Sequence, residues 1–275
     1  MSEEEVIRRT PSPITVDSLV RELTALGVKA GMTVLVHSSL SSLGWVSGGA
    51  PAVILALEEV IRPYGTLVMP THTGDLSDPS GWENPPVPES WWEEIRSSMP
   101  AFDPELTPTR GMGRIPECFR NQKEVLRSDH PQFSFAAWGE RGVEILSDHS
   151  LDFGLGEESP LARIYDLGGS VLLLGAGHDS NTSLHLSEVR AEYPAKEVLP
   201  CSSPVIVEGH RRWKSYREIN YDSSDFADIG RDFDSRYKQQ VRTGRVGLAE
   251  CRLFPQRLCV DFGVSWIERR RRGGG

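Results

Sequence analysis

The stretch TVLVHSSLSSLGWVSGGAPAVILALEEVIRPYGTLVM, residues 33–69, carries the reading of the fold. Its first four residues, Thr33, Val34, Leu35 and Val36, are uncharged and mostly apolar, and such a short run reads as a buried strand. A loop of small and polar residues follows, beginning His37-Ser38-Ser39-Leu40 and closing on Gly48-Gly49. Residues 51–61 then read as a helix, ended by Pro63 and Gly65. Residues 66–69 are the next strand. This strand, loop, helix and strand order predicts an α/β sheet.

Working outward, Val16, Leu19, Val20, Leu23 and Leu26 recur at helical spacing, and Gly27 stops the run. Residues 133–138 and 171–174 add strands, and residues 224–237 and 260–270 add late helices. Between Thr71 and Arg110 lies a long stretch rich in Pro, Trp, Asp and Ser. A loop of that length with a short helix of its own, around residues 90–97, reads as a substrate lid rather than a linker. No internal repeat or boundary interrupts the pattern, so residues 1–275 are expected to form a single domain.

Composition bounds the function. The 275 residues are 38% hydrophobic, enough for a full core. A formal net charge of -9 argues against a general nucleic-acid binder and is compatible with a polycationic substrate. Cys118, Cys201, Cys251 and Cys259 lie far apart without a C-x-x-C pair, so neither a zinc knot nor a disulfide scaffold is expected, and a reduced cytoplasm fits. No signal peptide or membrane span is expected, since no long apolar run occurs. The run Glu268-Arg-Arg-Arg-Arg272, followed by three glycines, reads as a solvated end.

The chemistry concentrates in LGAGHDSNTSLHLSE, residues 174–188. An apolar run ends in a glycine turn, and cap-type residues Asp179, Ser180, Asn181 and Thr182 open a helix. On that helix His185 and Glu188 stand at i, i+3 and share a face. A neutral imidazole held by a carboxylate can accept a proton from an attacking amine. Alternatively, Asp179 and Asn181 are helix caps, His178 is a turn residue and His185 is a buried, hydrogen-bonded histidine. A metal site from His178, Asp179, His185 and Glu188 would need a helix that starts before His178, and Gly177 argues against that. Gly175-Ala176-Gly177 imitates a dinucleotide fingerprint, but Ser180 stands where the third glycine belongs.

A second region, HSSLSSLGWVSGG at residues 37–49, joins a strand to a helix. Its hydroxyls and paired glycines let backbone N–H groups approach an anion at the helix start. It lacks the G-x-x-x-x-G-K-[ST] of a P-loop, and a flexible Ser/Gly loop is the competing reading.

Taken in order, HSSLSSLGWVSGGAPAV, MPTHTGDLSDPSGWENPPVP, TPTRGMGRIPECFR, SDHPQFSFAAWG, DFGLGEESPLARIYDLGG and LLLGAGHDSNTSLHLSE resemble the aminoglycoside 3-N-acetyltransferase family, over roughly residues 15–261. The resemblance implies a mixed central sheet flanked by helices, distinct from GCN5-type acetyltransferases, and no R/Q-x-x-G-x-G/A motif occurs here. It implies acetyl transfer from acetyl-coenzyme A to the 3-amino group of the 2-deoxystreptamine ring, with aminoglycoside resistance as the outcome and no metal. Carried over by motif, His185 becomes the general base, Glu188 its orienting acid and Asp179 a polar neighbour of the substrate amine. His37, Ser38, Ser39, Leu40, Val46, Gly48 and Gly49 would cradle coenzyme A. Thr71 would sit near the thioester, and Arg110, Gly111 and Met112 would line the same channel. His72 is either a second polar group or a packed turn residue.

Acids are expected to meet the ammonium groups of the acceptor: Asp152, Asp179, Glu188, Glu192, Asp222 and Asp225. Trp82 of the lid, with Trp91 and Trp92, is expected to form a wall for the sugars, core packing being the alternative. Two other functions remain open at this point: acetyl transfer to a different amine, and a non-catalytic or metal-binding protein.

Overall fold

The computed structural model describes residues 2–271. Its main sheet is built from β1 (Thr33–Ser38), β2 (Thr66–Pro70), β3 (Leu126–Arg127), β4 (Phe135–Gly139), β5 (Ser170–Leu174), β8 (Arg242–Val246) and β9 (Ala249–Pro255), while β6 (Val198–Val207) and β7 (His210–Ile219) form a separate hairpin. The seven strands run in the order β3-β4-β2-β1-β5-β9-β8. At the centre β1 pairs in parallel with β2 on one side and β5 on the other, with Leu35 opposite both Val68 and Val171. The outer pairs, β2 with β4, β3 with β4, β5 with β9 and β8 with β9, are antiparallel. The sheet is therefore mixed, as expected.

Period-two alternation sorts the core onto the two faces of this sheet. Val34, Val36, Leu67, Met69, Leu172 and Leu174 point to one side. They meet α2 (Val16–Leu26), α4 (Gly49–Ile61) and α6 (Arg114–Arg120). Leu35, Val68, Val171 and Leu173 point to the other. There they meet α7 (Gly142–Leu146), α8 (Pro160–Asp166), α9 (Ser183–Arg190), α10 (Phe226–Arg236) and α11 (Gln256–Arg270). Three short helices complete the set: α1 (Glu3–Arg9), α3 (Leu40–Leu43) and α5 (Trp92–Ser98). Local signals set the helix ends. A capping box between Thr15 and Ser18 opens α2, and Gly27 closes it at φ +109°.

The parallel strands decide where a ligand can enter. Because β1 sends the chain to β2 on one side and lies against β5 on the other, a crevice opens beyond the carboxyl ends of these strands. Ser38, Pro70 and Leu174 are the last residues of those three strands, so the loops after them converge at that end.

The hairpin of β6 and β7 was not expected from the sequence. Pro200 and Pro204 interrupt the β6 pattern and a basic run opens β7. Glu208 (φ +50°) and Gly209 (φ +75°) both take the left-handed region between the strands, as a two-residue hairpin turn requires. This hairpin holds the lid-like insertion. Arg211 donates to the Met99 carbonyl at 2.6 Å and the Arg96 carbonyl at 2.5 Å, and the Phe102 N–H donates to the Pro204 carbonyl at 3.1 Å. From the other side Arg127 donates to the Thr107 carbonyl at 2.5 Å and the Thr71 carbonyl at 2.7 Å. The solvated-end reading holds for Arg269 and Arg270, which are exposed, but not for Arg271, whose side chain is only 12% exposed. Residues 272–275 lie outside the described residues. Among the described residues no helix is long and apolar enough to cross a membrane.

Candidate active site

The helical spacing of His185 and Glu188 on α9 becomes a contact: His185 Nδ1 lies 2.6 Å from Glu188 Oε2. Glu188 has no solvent exposure, whereas the His185 side chain keeps 19%. The ring is thus fastened at Nδ1 by a buried carboxylate, and no hydrogen bond within the chain occupies its other edge. Tyr221 and Phe226 wall the imidazole at ring distances of 5.0 and 4.8 Å.

Two further histidines face the same region from strand ends. His37, at the end of β1, is buried with Nε2 unpartnered, and burial first, then the nearby His185 and His178, pushes its pKa down to about 3. His72, after β2, sits edge-on to Phe133 and Phe135, and burial, with His185 the next contributor, holds it well below the usual histidine range. Both are neutral at physiological pH.

A cavity of about 450 Å³ lies beside this end of the sheet. Of the residues expected around coenzyme A, Ser38, Ser39, Leu40, Val46, Gly49, Gly111 and Met112 line it. Ser38 Oγ is buried without a partner, leaving a hydroxyl free for a ligand. Gly48 and Gly49 adopt φ +87° and +61°, the left-handed region where a side chain is strained. No side chain caps α4, and the Gly49 N–H donates instead to the Val46 carbonyl at 3.0 Å. His37, Gly48, Thr71 and Arg110 do not line the cavity. Thr71 is fully buried, its hydroxyl 3.2 Å from both Ser134 Oγ and Arg127 Nε. Arg110 is exposed and paired with Asp75. Arg114, at the start of α6, is the arginine on the wall instead. A larger concavity of about 940 Å³ involves Lys29, Thr33 and Ser170 at the opposite, amino ends of the parallel strands, away from His185.

The carboxylates expected to meet an acceptor are largely engaged within the chain. Asp152 accepts from Arg217 at 2.7 Å, and these bonds hold its pKa below the usual carboxylate value. Asp222 accepts from the Ser224 N–H at 2.9 Å. Asp225 and Glu188 both pair with Arg271. Glu192 stands in solvent, 85% exposed. Asp179 is exposed on the turn before α9, and Asn181, not Asp179, accepts from the Ser183 N–H. In the lid, Trp82 donates to Ser77 Oγ at 2.8 Å, Trp91 is exposed, and Arg96 lies over the Trp92 ring. His178 turns away from His185 to Asp234, at 3.1 Å, and stacks on Phe254. Among the described residues no group of three or more His, Cys, Asp or Glu side chains could hold a metal ion.

Sequence reasoning missed a buried group behind Tyr221. The Tyr221 hydroxyl donates to Glu218 Oε2 at 2.8 Å, and burial raises the Glu218 pKa to about 7. His130 lies beside Glu218, and the His149 ring packs against His130 at 4.9 Å, tilted by 37°. Burial pushes His130 down to about 4 and His149 well below the usual value. Tyr221 and Glu218 are three residues apart, but His130 and His149 lie far from Glu218 in sequence, and no local spacing marks that contact.

These shifts predict acid sensitivity. An unfolded histidine titrates near pH ~6.5, so below that pH the unfolded chain binds protons that folded His37, His72, His130 and His149 refuse. Their contribution to stability is present above about pH 6.5 and is lost as pH falls toward about 4. Glu218, raised rather than lowered, acts in the opposite sense: its unfavourable ionisation disappears as pH falls below about 7. One such group against four histidines leaves a net loss. The thermal unfolding midpoint is expected to drop steeply between pH 6.5 and 4.5, and a flat profile would show that water reaches these rings.

Comparison with known proteins gives the family. Residues 35–268 match the aminoglycoside 3-N-acetyltransferase family. The chain belongs to that family. It is 50% identical to the SPbeta prophage-derived aminoglycoside N(3')-acetyltransferase-like protein YokD of Bacillus subtilis (strain 168), over 96% of each chain. It is 40% identical to aminoglycoside N(3)-acetyltransferase VIII of Streptomyces fradiae, over 99% of this chain and 98% of that one. The crystal structure of YokD superposes with a TM-score of 0.96 at 48% identity, covering 99% of this chain and 100% of that one. The coenzyme A complex of AAC-IIIb superposes at 0.84 with 32% identity, covering 96% and 100%. Sisomicin-bound AAC-VIa gives 0.84 with 31% identity, covering 94% and 99%.

Proposed function

We propose that this family member transfers acetyl from acetyl-coenzyme A to the 3-amino group of the 2-deoxystreptamine ring of an aminoglycoside, and so confers resistance. The observation that carries the reading is the 2.6 Å contact between His185 Nδ1 and the fully buried Glu188. A carboxylate acceptor at Nδ1 fixes the proton there and leaves the Nε2 lone pair free. As the amine nitrogen attacks the thioester carbon and the C–N bond forms, His185 Nε2 accepts the amine proton. The C–S bond then breaks, and His185 can return that proton to the departing thiolate. The cavity beside α4, lined by Ser38, Ser39 and the left-handed Gly49, suits the acyl donor: the Ser38 hydroxyl has no partner within the chain, and no side chain caps the helix start beside it.

A second reading keeps the chemistry and changes the acceptor. Asp152 and Glu188 are each neutralised by an arginine of the same chain. That pairing favours an amine carrying fewer ammonium groups than a typical aminoglycoside.

One assay separates the two. Thiol release from acetyl-coenzyme A is measured with aminoglycosides of increasing amine number and with simple amino sugars. The first reading expects turnover with deoxystreptamine drugs bearing a free 3-amino group and none with drugs blocked there. Turnover confined to other amines would establish the second. No thiol release with any amine would remove acetyl transfer altogether.

A further inference from the structure

Glu188 is more heavily used than its role beside His185 requires. Oε2 faces His185, while Oε1 accepts from Arg271 Nη1 at 2.7 Å and from the Asp222 N–H at 2.9 Å. Arg271 is itself held on three sides. It makes a two-point pair with Asp225, at 2.8 and 2.7 Å, donates to the Asp222 carbonyl at 2.7 Å, and lies over the Tyr193 ring at 5.2 Å. Every guanidinium nitrogen has a carboxylate or carbonyl partner. An arginine within a like-charged run is usually solvated; this one is buried to 12% exposure in the acids behind the imidazole.

Helix packing brings it there. α11 lies against α9, and Gly263 makes the close approach possible, since a Cβ at that position would come 2.5 Å from Ser187 Oγ. Ser187 donates to the Val260 carbonyl at 3.1 Å, and Gln256 donates to Ser183 Oγ at 3.2 Å. Two turns beyond Gly263, the chain delivers Arg271 to Glu188.

We infer that Arg271 is a positioning residue: it keeps Glu188 an acceptor and thereby fixes His185 in the Nδ1–H tautomer that leaves Nε2 bare. A carboxylate closed off from water needs donors and a countercharge, or it takes up a proton. A protonated Glu188 would donate to Nδ1, the ring proton would move to Nε2, and the base would be lost. The charged or titratable groups around Glu188 are His185, Arg271, Asp222, Asp225, Tyr193 and Tyr221; of these Arg271 is the cation fixed on the carboxylate. The consequence for catalysis rests on the acetyl-transfer reading, but the tautomer does not.

The test is imidazole ¹⁵N NMR of His185 in the full chain, recorded at a pH where the ring is neutral. Wild type is expected to show a single Nδ1–H form, Arg271→Met a substantial Nε2–H population, and Arg271→Lys recovery toward wild type. In the same variants kcat should fall about ten- to a hundredfold for Met, with KM for acetyl-coenzyme A unchanged and partial rescue by Lys. If Arg271→Met gives no folded protein, Arg271→Gln, which can still offer an N–H toward Glu188 Oε1 but carries no charge, carries the test and should give mixed tautomers. An unchanged tautomer in the folded variant overturns the inference. Since the spectrum needs no acceptor, a wild type that acetylates nothing would sink the acetyl-transfer reading alone.

Discussion

Replacing His185 with alanine is expected to lower turnover by roughly two to four orders of magnitude, the range for loss of a general base. Acetyl-coenzyme A affinity should hold, because the residues lining the candidate donor cavity do not include His185. The fold should hold too, since the ring keeps 19% exposure and its one hydrogen bond is to Glu188, which retains Arg271 and the Asp222 N–H. Steady-state kinetics with calorimetry for the acyl donor make the comparison. Near wild-type turnover in a folded His185→Ala protein would leave the imidazole a packed side chain and remove the proposed mechanism.

Glu188→Ala should be damaging in a second way, through stability as well as rate. The substitution strips Arg271 of one of its two carboxylates and leaves the Asp222 N–H without its acceptor. Breaking a buried ion pair by removing one partner costs about 3–5 kcal/mol, and the surviving Asp225 contact puts this case near the lower end. Urea unfolding should show that loss as a lower midpoint, together with turnover at least as poor as in His185→Ala. Glu188→Gln keeps the shape and should lose less stability. A Glu188→Ala protein as stable as wild type would mean that Arg271 finds water or another acid, and that the cluster behind the imidazole is loosely held.

The acceptor side reads differently in structure and in sequence. A net charge of -9 and a scatter of acids suggested a cleft lined by free carboxylates. Several of those acids instead face arginines of the chain. Composition counts charges but cannot say which are already neutralised. The insertion after β2 is likewise stitched to the hairpin by Arg211 and to the sheet by Arg127.

What the sequence determined by itself is whatever spacing of a few residues controls. The strand, glycine pair and helix of residues 33–61 follow from local apolar pattern and backbone freedom, and they form as β1 and α4. The His185–Glu188 contact follows from three residues of helix, because one turn of α9 places both side chains on the same face. Tertiary structure alone decided the rest. Arg271 meets Glu188 across 83 residues, Arg217 meets Asp152 across 65, and Tyr221 reaches His185 from the end of a hairpin that no alternating pattern announced. Helical and strand periods reach only to the next turn or the next pleat. Which distant charge fills a buried carboxylate's second oxygen is set by how closely two helices can approach, and here by the absence of a side chain at Gly263.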